Sequence, residues 1–358
     1  MSWTSPLFVV EYQKTHGGVS LNIKVVAEKA GVSITTVSRV LNMPEKVNEK
    51  TKAKVIAVME ELNYTPNWFA RNLQNSRTNL IGVLVPDNME QSSMAVAKGI
   101  EKIALQKGSN MILCNTGYNV ETEKEHMHTL IDRKIDGIVF VSSALTETDI
   151  KYIKDKGVPF VFVDKCQASK NENVVYTNYD KACEEVVGYL ADMGRKDIAF
   201  LIPNDQDSIN RQKLKGYKEG ITSSGLMCKE GIVVYADDSI EGGFTAANRI
   251  IQSEEKVDAI FAATDTIAFG AIEAMHQNEL DSDRLGIVGF GGNQLGAIVE
   301  PKLTTVSKPS HRMGLTAGRL LFDLIDSKEQ EEPQSIMIQS KLKIRKSCGN
   351  KERVLEIW

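Results

Sequence analysis

A chain of 358 residues with 42% hydrophobic content is long enough for two or three domains with ordinary apolar cores. No run approaches the roughly 18 apolar residues of a membrane span, and "PLFVVEYQ" is short and lacks a basic leader, so neither an anchor nor a signal peptide is expected and the location is cytoplasmic. A net charge of −4 argues against nucleic-acid binding until it is divided: 22–79 hold nine basic and five acidic residues (+4), 1–21 cancel, and the remainder carries −8.

In chain order, residues 1–21 are an extension. Asn22 is placed as the N-cap of a first short helix, Ile23 to Ala30, which Gly31 terminates. Ser33 caps a second helix that ends near Asn42. Its string "ITTVSRVLN" is rich in β-branched residues, yet Val37, Val40 and Leu41 fall on one helical face. A third helix begins around Asn48, with Val55, Met59 and Leu62 at helical spacing. Two short helices joined at Ala30-Gly31-Val32-Ser33 make a helix-turn-helix over 22–64. A second helix written in weak helix formers is then explained by packing and by its outer surface, where Thr and Ser reach phosphates and Arg39 suits guanine O6 and N7.

Residues 65–79 are a polar linker interrupted by Pro66. From Leu80 the texture changes to short apolar runs alternating with amphipathic stretches, in two similar sets of about 100 residues. Continuous apolar strands with intervening helices indicate buried parallel sheets, so the fold class is α/β with two lobes behind the head. Ligands on such sheets bind beyond the strand C-termini, here "VPDN", "VDKC", "IPNDQDS", "AATD" and "GFGGN".

The remaining chemistry is sparse. Five scattered cysteines, without a C-x-x-C pair, read as small buried hydrophobes. His126 and His128 are two apart and point to different helix faces, so no metal and no cofactor is expected. There is no nucleophile elbow, phosphate-binding loop or dinucleotide fingerprint, and no enzyme is expected.

The string "NIKVVAEKAGVSITTVSRVLN", followed by "VNEKTKAKVIAVMEELNYTPNWFARNLQNSRTNLIGVLVPD", closely resembles the head, hinge and first strand of the lactose-repressor/galactose-repressor family of bacterial transcription regulators. The resemblance runs from about residue 20 to 345. It implies an operator-binding repressor, acting as a homodimer without membrane contact, whose DNA affinity is set by a sugar effector. A corepressor-dependent or global carbon-catabolite regulator is the alternative, and a sugar-transport protein a remote one.

By motif position, the resemblance implies that Ile34, Thr35 and Arg39 read bases. Ser33, Thr36, Ser38, Asn42, Tyr64 and Asn67 hold phosphates, and Leu73 is a minor-groove wedge, unless it tucks against the body. Val25 replaces a frequent first-turn aspartate. Members usually begin within a few residues of the "I-K" run, so translation from Val19 is expected and Met1 to Gly18 are not part of the natural product.

The body is similar to periplasmic sugar-binding proteins. Residues 80–346 are expected to hold an N-subdomain (80–177 and 308–335) and a C-subdomain (178–307 and 336–346), with 347–358 a tail too short for a coiled-coil tetramer. Effector positions matched by motif are Asp87, Asp164, Arg211 and Asp265, with helix N-capping the alternative for each carboxylate, which for Asp265 stays open. Ser92-Ser93 replaces an aromatic pair, so the first lobe lacks a stacking platform there. "GFGGN" replaces "G-[FY]-D-D", so Asn293 or backbone N–H groups stand in for an aspartate. A wider, less acidic site of this kind favours a disaccharide or a sugar phosphate.

Overall fold

The computed structural model describes residues 23–64, 77–165, 171–203, 208–227, 232–254, 256–327 and 332–350, apart from the side chain of Asn42. Asn22, Asn67, Leu73 and the proposed extension lie outside the described residues. The chain divides into two units at Thr78/Asn79, and each is taken by itself.

In the first unit, α1 (Ile23–Ala30), α2 (Ile34–Asn42) and α3 (Glu49–Glu61) fall where the pattern places them. Gly31 takes φ +61°, a left-handed conformation that glycine adopts without a Cβ penalty. Its N–H reaches Glu28 O and that of Val32 reaches Ala27 O, closing α1. The Ser33 hydroxyl accepts from Thr36 N–H at 3.1 Å and caps α2. Val37 and Val40 are buried with Val26, Ala27, Ala30 and Val55 in one small core. Tertiary packing therefore supplies what the β-branched string lacks in helix propensity.

In the second unit, one lobe is built on β1 (Leu80–Val85), β2 (Asn110–Asn115), β3 (Gly137–Val141), β4 (Phe160–Val163) and β5 (Val174–Tyr176). Around them lie α4 (Gln91–Gln106), α5 (Val120–Asp132) and α6 (Glu147–Asp155). The other lobe holds α7 (Tyr179–Asp192), β6 (Ile198–Pro203), α8 (Ser208–Ser223), β7 (Val233–Ala236) and α9 (Ile240–Ile251). It continues with β8 (Ala259–Ala262), α10 (Asp265–Gln277), β9 (Gly286–Gly291) and β10 (Thr304–Ser307). Helix α11 (Ser310–Asp326) and β11 (Ser335–Met337) return to the first lobe, and β12 (Lys341–Lys343) ends in the second.

The strand orders are β11-β5-β4-β3-β1-β2 and β12-β10-β9-β8-β6-β7. Pairing is parallel except for β10 with β12. The central strands β3, β4 and β8 are buried along their whole length, which is why they read as continuous apolar runs.

Two boundaries differ from the sequence expectation. Ser335–Met337 pairs with Val174–Tyr176 in the first sheet, so the return to the second lobe comes after Met337 rather than at 336. Ser347, placed in the tail by the sequence, is fully buried in the second lobe, and Cys348 beside it is buried as the cysteine reading expects. There the Ser347 hydroxyl donates to Ile287 O and accepts from Thr304 N–H at 2.8 Å.

Three helix pairs flank the sheets at backbone contact. A Cβ on Gly314 (α11) would lie 2.0 Å from Val96 O of α4. One on Gly216 (α8) would lie 2.0 Å from Asp180 O of α7, and one on Gly270 (α10) 2.0 Å from Ile240 O of α9.

Candidate functional site

The head presents one polar surface. Ile34 (43% exposed), Thr35, Arg39 and Ser33 face solvent, while Thr36 and Ser38 are half-buried. Helix α2 thus turns its two buried valines inward and its reading candidates outward. Besides capping α2, the Ser33 hydroxyl lies 2.9 Å from Thr36 Oγ1, so this pair is pre-ordered before any phosphate arrives. Tyr64 is half-buried against the head core, its N–H donating to Met59 O. A Lys29–Glu61 pair at 2.8 Å ties α1 to the end of α3.

In the first lobe, Asp87 follows β1 and accepts from Met89 N–H at 2.8 Å. Ser92 and Ser93 both donate to Glu90, which also accepts from the Tyr118 hydroxyl at 3.3 Å. The missing aromatic pair is therefore not the whole account of this face. Tyr118, from the loop after β2, places an exposed ring beside Glu90 and was not singled out from the sequence. Desolvation of its hydroxyl, then the charges of Glu90, Asp87 and Asp238, raise its pKa well above the usual tyrosine range. Asp238 belongs to the second lobe, so both lobes contribute carboxylates to this neighbourhood. The Gln294 N–H meets Gln91 Oε1 across the same gap at 3.4 Å.

Asp164 ends β4 with φ +57° and is 2% exposed. Its charge is met by Lys308 Nζ at 2.5 Å, and neither carboxylate oxygen accepts a hydrogen bond of good geometry. Lys308 lies on the passage between β10 and α11, so this buried pair links two segments at the lobe junction. Next in sequence, Lys165 packs its ammonium 4.0 Å from the centre of the Phe162 ring and 3.6 Å from Glu172. Burial pulls the Lys165 pKa down.

In the second lobe the residue brought to the strand ends is Lys213, not Arg211. Arg211 is exposed at the start of α8. Lys213 is buried, donates to Ala263 O at 2.8 Å, and lies 4.6 Å from the centre of the Phe290 ring. The signal was available: Lys213, Gly216, Tyr217 and Gly220 fall on one helical face, the inward one, and Arg211 falls off it.

Asp265 also takes a different part from the one expected. Thr264 is the N-cap of α10, accepting from Ile267 N–H at 3.2 Å and donating to Asp238 at 2.6 Å. Asp265, one residue on, is 3% exposed and points into the lobe. Its carboxylate accepts from the Thr305 hydroxyl and from Asn293 N–H, both at 2.5 Å. Asp265 is thus neither the cap nor an open ligand contact but a clamp on the β9–β10 loop. That loop holds Gly291 (φ +139°) and Gly292 (φ +78°). The side-chain oxygen of Asn293 is engaged as well, accepting from Leu295 N–H at 2.9 Å.

Burial raises the Asp265 pKa despite those hydrogen bonds. The folded protein therefore holds this proton more tightly than the unfolded chain, and the associated stability is lost as pH rises through the folded value. As pH rises from the ordinary aspartate range through the raised folded value, the stability of wild type relative to Asp265→Asn should fall. Urea denaturation of both proteins across that range checks the sign, and a flat or rising difference would contradict it.

A cavity of about 370 Å³ opens where the lobes adjoin. Asp164, Tyr176 and Ser335 line it from the first lobe, and Tyr179, Asp180, Gln212 and Lys215 from the second. Of the effector positions expected from the sequence, Asp164 is the one on its wall. No group of three or more His, Cys, Asp or Glu suited to a metal occurs among the described residues. His126 contacts Asn115 O at 3.2 Å and His128 packs edge-on against Tyr152. No described helix is long and apolar enough to cross a membrane.

Comparison with known proteins adds the following. Residues 22–67 match the model described as "Bacterial regulatory proteins, lacI family", and residues 78–346 match "Periplasmic binding proteins and sugar binding domain of LacI family". The chain is 33% identical to catabolite control protein A of Priestia megaterium, covering 92% of this chain and 99% of that protein. It is 32% identical to the HTH-type transcriptional repressor PurR of Vibrio campbellii, covering 87% and 93%. Among solved structures, the Lac repressor dimer bound to operator and the anti-inducer ONPF superposes with a TM-score of 0.79 at 26% identity, covering 92% and 99%.

Proposed function

Because the chain belongs to the lacI family of bacterial regulatory proteins, we infer that it is a DNA-binding transcriptional repressor governed by a small sugar effector. The observation that carries this reading is α2, a capped helix turning Ile34, Thr35 and Arg39 to solvent, in a chain that continues into two parallel-sheet lobes. In this reading those three residues meet base edges, and Ser33, Thr36, Ser38, Asn42, Tyr64 and Asn67 meet the backbone. Leu73 enters the minor groove.

One head offers little contact area, so two copies bind a near-palindromic operator, as the Lac repressor dimer binds its own. The protein works in the cytoplasm, where the DNA is, and its action involves no catalytic step.

The effector occupies the face between the lobes. Asp87, Glu90 and Tyr118 supply one side, Lys213, Thr264 and the β9–β10 loop the other, and Asp164 the junction. Control is a difference in affinity: a ligand that binds one lobe arrangement better shifts the population toward it, and DNA affinity follows. The expected outcome is that a sugar titrated into the protein–operator complex lowers operator affinity, read by fluorescence anisotropy. A second reading is a corepressor-dependent or global carbon-catabolite regulator on the same scaffold, which likeness to a catabolite control protein supports. A rise in operator affinity in the same titration selects that reading, and no change with any sugar removes the sugar's role.

A further inference from the structure

We propose that Lys308 is a charge latch between the lobes: its ammonium, held between the Asp164 carboxylate of the first lobe and the Tyr179 ring of the second, fixes the lobe arrangement of the ligand-free protein. The latch rests on the repressor reading above only in its effect on operator affinity. Three passages join the lobes, at 177–178, 308–309 and 338–340. The first and third are tied by neutral hydrogen bonds, from the Thr177 hydroxyl to Ile338 O and from Ile338 N–H to Tyr176 O, both at 2.8 Å. Those bonds run between neighbouring passages and do not bridge one lobe body to the other. The second passage differs, because Lys308 reaches from it to a strand end of one lobe and to an aromatic ring of the other.

On the first-lobe side, Asp164 N–H donates to Val175 O at 2.9 Å, which fixes the carboxylate to the sheet. The Asp164 side chain is fully buried and that of Lys308 nearly so. On the second-lobe side, the buried Tyr179 opens α7 and stacks its ring on Phe290 of β9 at 5.7 Å. Lys308 Nζ lies 5.9 Å from the centre of the Tyr179 ring, within the distance at which a ring face attracts a cation. One charge thus engages both lobes.

A buried ion pair is a permanent fastening when further hydrogen bonds satisfy its remaining lone pairs. Here neither Asp164 oxygen accepts a hydrogen bond of good geometry, so part of the desolvation cost is not offset and the latched arrangement is favoured by a small margin. Asp164 and Tyr179 both line the cavity of about 370 Å³, so a small separation of the lobes brings water to the carboxylate. A contact that is costly to hold dry and readily hydrated on opening suits a switch between two arrangements.

The test uses the full chain. Lys308→Met keeps the aliphatic stem and removes the charge, while Lys308→Arg keeps a cation. Asp164→Asn removes the anion with a residue type that tolerates the left-handed φ of +57°. Hydrogen–deuterium exchange read by mass spectrometry compares peptides over the three passages with peptides over β3 and β8, which are buried throughout. In Lys308→Met and Asp164→Asn the passages should exchange about tenfold faster or more, with β3 and β8 within about twofold of wild type, and Lys308→Arg should keep the passages within about threefold. Operator affinity without added ligand, read by fluorescence anisotropy, should change about fivefold or more in the two neutral variants and less than about twofold in Lys308→Arg. Should one neutral variant fail to fold, the other carries the comparison. Passages as protected as in wild type, or exchange raised equally in passages and core strands, overturn the latch and leave the repressor reading standing. Faster exchange confined to the passages with operator affinity unchanged overturns the latch's control of DNA binding. Wild type that binds no operator overturns the repressor reading, and the exchange result still decides the latch.

Discussion

Arg39→Ala is expected to lower affinity for the cognate operator by about 1–3 kcal/mol, roughly 5- to 150-fold, and to relax the base preference at one position of each half-site. Arg39 is exposed in the last turn of α2, one residue from Val40, which is buried in the head core. The helix is anchored on that side, so removing the guanidinium does not disturb its seat. A guanidinium donates two parallel hydrogen bonds to guanine O6 and N7, and no other pair of acceptors in the major groove matches it as well. Fluorescence anisotropy with the cognate operator and with a scrambled duplex of equal length separates the roles. A loss confined to the operator marks a base reader. An equal loss on both duplexes would make Arg39 a phosphate contact.

Gly314→Val should destabilise the second unit by about 3 kcal/mol, the upper part of the range for overpacking a tight contact. A Cβ at that position meets Val96 O at 2.0 Å, so α11 and α4 must move apart. The atom struck is backbone, not the mobile end of a side chain, and cannot step aside. Gly188→Ala on α7 is the matched control: nothing lies within 4 Å of its Cβ position, and alanine there should be neutral or stabilising by up to about 1 kcal/mol. Urea denaturation monitored in the far ultraviolet should show a lower midpoint for the first and an unchanged or higher one for the second. Equal midpoints would mean the helix pair tolerates separation and the close approach is incidental.

Much of the architecture was legible before any coordinates. Helices α2 and α3 begin directly after Ser33 and Asn48, because a cap is a local event: Ser33 accepts from a backbone N–H three residues away. The strands were legible because burial on both faces demands continuous apolar runs, and β3, β4 and β8 are buried throughout. The site was read less well. Residue types clustered at strand ends do not say which neighbour turns inward.

Arg211 and Lys213 differ by two positions, about 200° around a helix, and the exposure follows that rotation rather than the charge. Asp265 and Thr264 divide the capping and clamping roles between adjacent residues, because the β9–β10 loop delivers Asn293 N–H and Thr305 lies across the sheet from it. Neither partner is near in sequence. Tyr118 was missed for the same reason, since it meets Glu90 only after β2 and β1 pair side by side.

By itself, then, the sequence determined what depends on neighbours along the chain: helix caps, the turn at Gly31, the alternation of strand and helix, and the exposed face of α2. The tertiary structure decided what depends on distant groups arriving together. Those are the late return of β11 to the first sheet, the burial of Ser347, the Asp164–Lys308 pair, and the cavity between the lobes. The physical reason is range: hydrogen bonds within a turn are encoded by residues three or four apart, whereas a buried charge or a cavity wall is defined only by whatever the rest of the fold packs against it.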